Sequence, residues 1–236
     1  MVRLAGQPED VPPKDASGPD DMAGNSHRQL IGYIGFFMPF IIIILALWRD
    51  GEKAWRNLDS ISAYYYTGAN AAFVGMLFAL ALFLFTYRGY KGEQGRADRW
   101  AAILARGAAL LVAFFPTKVP QDFTALTWWH TWVGKVHFGA AIGLFSMFAF
   151  FSIWLFRKSA TKDGAMPGDK KWRNRIYLGC GIVIIVEMIW AGWNGYRGAP
   201  IFWQEAFALI AFAVSWLVKG YAHRSIAGAA RSLVGG

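Results

Sequence analysis

Six long apolar runs follow one another along this chain, and they restrict its fold more than any other feature. They cover residues 30–48, 69–87, 100–115, 132–156, 176–193 and 201–218. A helix of about 20 residues crosses the ~30 Å hydrocarbon core of a bilayer. Helices also satisfy their own backbone hydrogen bonds, as a membrane requires. The sequence therefore predicts an all-α integral membrane bundle of six transmembrane helices.

The composition agrees with a membrane protein. Hydrophobic residues make up 56% of the 236 residues and charged residues only 17%, against about 25% charged in an average soluble domain. A soluble chain of this size could not cover so much apolar surface. The single cysteine, Cys180, excludes an internal disulfide, a paired-cysteine redox motif and a cysteine-based zinc site.

The two ends of the chain differ from its middle. Residues 1–28 hold four prolines and five acidic residues and almost nothing apolar, so they cannot bury enough surface to offset the entropy of ordering. We predict a disordered cytoplasmic tail over 1–28, a six-helix transmembrane domain over 29–221 and a short cytoplasmic tail over 222–236. The start of the chain also lacks the apolar core of a signal peptide.

The distribution of Lys and Arg predicts the orientation. Seventeen of these residues lie in the N-terminal tail, in segments 88–99 and 157–175 and from Lys219 onward, and six lie in or next to the alternate loops. Because positive charge accumulates on the cytoplasmic side, both termini are predicted to be cytoplasmic, with loops 49–68, 116–131 and 194–200 outside. Trp and Tyr at both boundaries form the expected aromatic belts. The predicted location is the plasma (inner) membrane of a bacterium, and the net charge of +9 is assigned to cytoplasmic loops rather than to nucleic-acid binding.

Several polar residues fall in the outer half of the predicted bundle, where they are costly and hence candidates for function. By depth, an outward-facing pocket would gather serine, carboxylate and histidine groups suited to acid–base catalysis or to a hard metal. The catalytic candidates are Asp59, Ser60, Ser62, His137, Glu187 and Glu205, and the metal candidates are His137, Glu187 and Glu205. The alternative is structural: Glu187 pairs with Lys135, His137 or Asn194, and Glu205 faces the outer interface.

No cofactor can be named from these residues. His130 and His137 are seven positions apart, which is two helical turns and too far for one metal. The other two histidines, His27 and His223, lie outside the predicted membrane region, so a haem held by two histidines is excluded. A single histidine that ligates a pigment stays open, as does the simpler interpretation of His130 as an interfacial residue.

Residues 59–68 open the second predicted helix from the outside. A serine nucleophile there would need a positioned base, and the alternative is an interfacial re-entrant segment capped by Thr67 or Asn70. In the fourth run, Gly134, Gly139 and Gly143 lie on roughly one stripe and would allow a close helix contact.

Four short segments carry a resemblance to a known group. They are SISAYYYTG at 60–68, LFTYRGY at 84–90, FFPT at 114–117 and FAVSWLVKG at 212–220. They resemble a group of small bacterial multi-spanning proteins, and six helices with an Ile-Ser motif after the first resemble the Frag/DRAM/Sfk type of membrane protein. This resemblance implies a six-span layout but no activity. Alkaline ceramidases and PAQR-type hydrolases place Ser, Asp and His at a membrane zinc site, but this chain lacks their seventh span and the His-x-x-x-His of the last helix.

Three functions follow as alternatives. The first is a non-enzymatic membrane protein that interacts with lipid or serves as an accessory subunit of a membrane complex, with a membrane-protein partner or a second copy of itself. The second is an integral-membrane hydrolase with an outward-facing Ser/Asp/His/Glu site. The third is a small proton-coupled transporter that uses Glu187, although the chain shows no internal repeat of the kind transporters carry.

Overall fold

The protein is built from helices throughout the part of the chain that the structure describes. The computed structural model describes residues 19–52, 59–87, 95–120, 123–124, 126–158 and 168–220, and these ranges contain no strand. The helices are α1 Pro19–Asp50, α2 Asn70–Thr86, α3 Arg96–Phe114, α4 Thr131–Phe150, α5 Gly168–Tyr196 and α6 Phe202–Lys219. A 3-10 helix, Ile61–Tyr66, precedes α2, and a π-helical turn, Phe151–Leu155, continues α4.

Each predicted apolar run corresponds to one of these helices, and α1 and α5 extend beyond their runs at both ends. Four helical segments are long and apolar enough to cross a membrane: Gly24–Asp50, Thr131–Leu155, Lys171–Tyr196 and Phe202–Lys219. The protein is therefore a helical membrane protein. Helix α2 is apolar but has only 17 residues, and α3 carries Arg96, Asp98, Arg99 and Arg106, so neither meets the same requirement.

The start of the first helix corrects the predicted tail. Helix α1 begins at Pro19, so the last ten residues of the segment predicted to be disordered are helical. Proline suits the first position of a helix because its missing N–H has no partner there. The side chain of His27 also contacts Thr86 Oγ1 on α2 at 2.7 Å, which holds this extension on the bundle. Residues 1–18 and the predicted tail 222–236 lie outside the described residues.

The helices pack with alternating direction, so the bundle has two distinct ends. Helix α1 packs on α2 and α6, α3 lies between α2 and α4, and α5 packs on α6 and α4. We call the end that holds the 3-10 helix the capped end. We call the opposite end, which carries Arg157, Lys158 and Lys219, the basic end.

Close helix contacts are made at other glycines than the sequence predicted. A Cβ on Gly32 of α1 would lie 2.6 Å from Leu217 Cγ and 3.0 Å from the backbone oxygen of Ala213 on α6. On α4, by contrast, a Cβ on Gly139 would meet nothing within 4 Å, and one on Gly143 would make only an ordinary contact. The glycine stripe of α4 is therefore not a close contact, and the α1–α6 crossing is.

The π-helical turn lies beside the most tightly packed part of the core. Its defining hydrogen bond runs from Phe156 N to Phe151 O at 2.9 Å. Within it, the fully buried Ser152 hydroxyl donates to Ser215 Oγ on α6 at 2.9 Å. The indole of Trp216 packs here against four aromatic rings with centroid distances of 5.0–5.9 Å, those of Tyr87, Phe151, Phe156 and Phe212. This cluster fixes α4 against α6 near the basic end.

Candidate functional site

The 3-10 helix at the capped end is held by two of the predicted catalytic residues. Ser60 is its N-cap, and Ser60 Oγ accepts a hydrogen bond from Ala63 N at 3.0 Å. Glu205 of α6 accepts the N–H of Ile61 at 2.6 Å and also that of Ser62. The first N–H groups of a helix have no partner within it, so these two side chains supply what the helix lacks. Both have a structural role.

Further contacts fasten the 3-10 helix across the bundle. The ring of Tyr64 packs on Phe202 with centroids 5.7 Å apart, and the Tyr66 hydroxyl donates to the carbonyl of Thr117 at 2.8 Å. Burial raises the pKa of both tyrosines to about 12, so both hydroxyls are protonated at neutral pH and that of Tyr66 can donate. The segment therefore closes the capped end.

The chain before and after the 3-10 helix is also tied to its neighbours. Ile201 N donates to the carbonyl of Asp59 at 2.6 Å, while the Asp59 side chain itself is exposed. The last turn of α1 contacts Gly68, whose N–H donates to Asp50 and whose carbonyl accepts from Arg49. A Cβ on Gly68 would lie 2.5 Å from Arg49 Cβ, so this contact requires glycine.

A small cavity of about 40 Å³ lies beneath the 3-10 helix. Its polar lining consists of Ser62 and Glu205, and apolar residues from α1, α2, α3, α4 and α6 form the rest. This volume holds one to a few water molecules and no larger ligand. The capped end is thus a closed structure rather than an open active-site pocket.

His137 has a structural partner of its own. The ring is 4% exposed, and its Nδ1 lies 2.6 Å from the carbonyl oxygen of Phe115. Because a carbonyl can only accept, Nδ1 carries the proton and donates. The bond ties α4 to the end of α3, where Trp129 Nε1 also donates to the Thr117 carbonyl at 3.1 Å. His130 is exposed at the N-cap of α4.

Glu187 does not join the other candidates. Its Oε2 is shielded from solvent but has no hydrogen-bond partner within the described ranges, and Lys135 is exposed. The described residues show no hydrogen bond or ion pair from Glu187 to Lys135, His137 or Asn194, so the predicted pairing is not observed there. The described residues also contain no group of three His, Cys, Asp or Glu side chains that could hold a metal ion.

A groove lies between α4 and α5. It measures about 440 Å³, within the range of small-molecule sites. Its lining is apolar except for one serine hydroxyl: Ser146, Ala149, Phe150, Ile153, Trp154, Ile185, Met188 and Ile189. Only 17% of the apolar window of α5 is buried, against 56% for α6. The groove is therefore open along the least covered helix of the bundle.

Positive charge lies where the groove meets the basic end. The Arg157 guanidinium donates to the carbonyl of Ile153, a groove residue, at 3.3 Å. Its Nε is shielded from solvent and has no hydrogen-bond partner in the described parts of the chain. Lys158 next to it pairs with the buried Asp98 at 3.2 Å. Arg157 thus keeps donor capacity at the end of an apolar groove.

No family model matches the chain, and neither a curated protein nor a solved structure is significantly similar to it. The function is therefore inferred from the groove and the capped end.

The Lys and Arg residues of 157–175 indicated the basic end, but the sequence did not indicate the groove. Ile153, Trp154 and Arg157 combine an apolar, an interfacial aromatic and a cationic residue within five positions, and this combination is typical of a membrane boundary. This combination was the sequence signal that pointed to a membrane boundary at the end of the groove. The groove itself depends on how α4 and α5 are rotated toward each other, which no local pattern encodes.

Proposed function

We propose that the protein is a non-enzymatic, six-span membrane protein that binds a lipid acyl chain in the groove between α4 and α5. The observation that carries this proposal is the groove itself: about 440 Å³, almost wholly apolar, and open along a helix that is mostly uncovered. In a bilayer such a surface faces hydrocarbon. A concave apolar surface there gives an acyl chain more contact than a flat one does.

The six-span arrangement is supported by the two ends of the bundle. At the basic end, side-chain contacts join helix ends from distant parts of the chain. Gln29 Nε2 donates to the Gly220 carbonyl at 2.7 Å, and Lys158 pairs with Asp98. Helix α2 spans about 26 Å at 1.5 Å per residue, close to the hydrocarbon thickness. The guanidinium of Arg106 on α3 lies over the Phe85 ring at 4.6 Å, which reduces the cost of a cation in that helix.

The non-enzymatic part of the proposal is supported by what the polar candidates contact. A serine nucleophile needs a base within hydrogen-bond reach. The hydroxyl of Ser60 bonds to Ala63 N instead, and Glu205 and His137 are bonded to backbone groups. The hydrolase alternative would require these contacts to be exchanged for substrate contacts.

Lipid retention by groove variants tests the proposal. Ile185→Trp places a larger side chain in the groove, so the purified full chain should retain less spin-labelled phosphatidylcholine, measured as the motionally restricted fraction by electron paramagnetic resonance. The matched control is Val183→Trp, which adds the same side chain at an exposed position on the other side of α5.

A groove variant that retains as much restricted lipid as the control contradicts the proposal. Equal loss in both variants also contradicts it, because the effect would then belong to the whole surface of α5 rather than to the groove. Size-exclusion profiles and thermal midpoints of both variants confirm that each is folded.

A further inference from the structure

The basic end of the groove adds a feature that an acyl chain alone does not require. Arg157 lies one helical turn beyond the groove residue Ile153, whose backbone carbonyl accepts a hydrogen bond from its Nη1, and its Nε lacks a partner among the described residues. The exposed indole of Trp154 lines the same end of the groove. Tryptophan favours the boundary between hydrocarbon and headgroups, so the guanidinium lies at headgroup depth.

Helix α5 brings a second cation to this end. Ile185, Leu178 and Lys171 are spaced by seven residues, and this spacing keeps them on nearly one side of a helix. Ile185 lines the groove, and Leu178 and Lys171 are exposed beyond it. The groove face of α5 therefore changes from apolar to cationic as it approaches the basic end.

Lys171 lies further toward the basic end than Arg157. The rings of Phe156 and Tyr177 pack with centroids 5.5 Å apart, which sets Arg157 near the level of Tyr177. Lys171 lies six residues further along α5, about 9 Å at 1.5 Å per residue. This is the depth of the headgroup layer, which adds several ångströms on each side of the hydrocarbon core. The acidic group described nearby, Asp98, is already paired with Lys158.

From this arrangement we infer that the groove binds an anionic phospholipid, with its acyl chain between α4 and α5 and its phosphate at Arg157 and Lys171. The inference rests on the proposed function and names the lipid class for the same site. Guanidinium groups bind phosphate through paired hydrogen bonds. Basic pockets between transmembrane helices are typical sites for anionic headgroups. A zwitterionic lipid would fill the groove but would gain less from the two cations.

Competition between lipid classes tests the inference. The full chain is reconstituted in vesicles of equal parts phosphatidylcholine and phosphatidylglycerol, and the relative association of spin-labelled forms of the two lipids is measured. The wild-type protein should prefer phosphatidylglycerol. In Arg157→Gln combined with Lys171→Gln the preference should fall by about fivefold for each charge removed. Added salt should also reduce it, because screening weakens attraction at an exposed headgroup.

Two further variants separate this effect from general ones. Arg197→Gln removes the same charge from the exposed turn at the capped end and should leave the preference unchanged. Arg157→Lys keeps the charge and should retain most of the preference, which also controls for any loss of folding in the double variant.

The possible outcomes separate the two proposals. An unchanged preference in the double variant, or an equal loss in Arg197→Gln, overturns the anionic site. If Ile185→Trp still lowers retention of both lipids in that case, acyl-chain binding stands and only the headgroup assignment fails. If neither the groove variant nor the charge variants change lipid association, the proposed function fails as well.

Discussion

The Glu205 carboxylate caps a helix other than its own. It lies on α6, and its oxygens accept N–H groups from the first residues of the 3-10 helix. Its depth in the predicted bundle made it a candidate acid–base group. The structure instead makes it a cap supplied from 144 positions away along the chain.

Removal of this cap should destabilise the capped end. Glu205→Ala leaves the buried N–H groups of Ile61 and Ser62 without their acceptor, which costs about 1–3 kcal/mol. Ser60→Ala should cost about 1 kcal/mol through loss of an N-cap. Thermal unfolding in detergent checks both. Asp59→Asn, a neighbouring change in an exposed side chain, is the control, and an equal midpoint for Glu205→Ala and Asp59→Asn would contradict the capping role.

The residues that the sequence misjudged share one physical cause. Depth along a helix can be estimated by counting residues, and this is how Glu187 and His137 became candidates. Rotation about the helix axis does not follow from counting when a helix is apolar on nearly all sides. Their partners, a backbone carbonyl for His137 and no described group for Glu187, depend on that rotation.

The crossing of α1 and α6 depends on a glycine that the apolar pattern does not mark. Gly32→Ala should force the helices apart, since its Cβ would meet both a side chain and a backbone oxygen of α6. We expect a loss of about 1–3 kcal/mol, as for overpacked cores. Gly139→Ala is the matched control, because its Cβ would enter open space, and it should gain up to about 1 kcal/mol from helix propensity.

Unfolding by denaturant in mixed micelles, followed by circular dichroism, measures both variants. A Gly32→Ala protein as stable as Gly139→Ala would show that the crossing tolerates a methyl group and that the contact is not specific to glycine.

The positions of the helices were predictable, whereas the start of α1 was not. Continuous apolar runs mark where a helix must lie in a membrane, and α1 to α6 follow them. The polar residues before Leu30 have no apolar run that would predict a helix. They are helical because contacts such as His27 with Thr86 hold them, and a contact between residues 59 positions apart is invisible to a local pattern.

The orientation of the whole molecule stays a prediction with a direct test. In a Cys180→Ala background, a cysteine at Arg197 should react with an impermeant maleimide applied to intact cells. A cysteine at Lys171 should react only after the membrane is opened. This pattern follows from the excess of Lys and Arg at the basic end, and the reverse pattern would invert the protein in the membrane.

The π-helical turn also determines the direction in which the residues after it point. Such a turn contains one residue more than the α-helix around it, and each residue turns a helix by about 100°. Everything after Leu155, Arg157 included, therefore points where it does because of a single additional residue. A related chain one residue shorter at 151–155 would carry its arginine on another side of the helix. Because Ile153 and Trp154 of the groove lie in the same turn, the groove and the proposed phosphate site would change together.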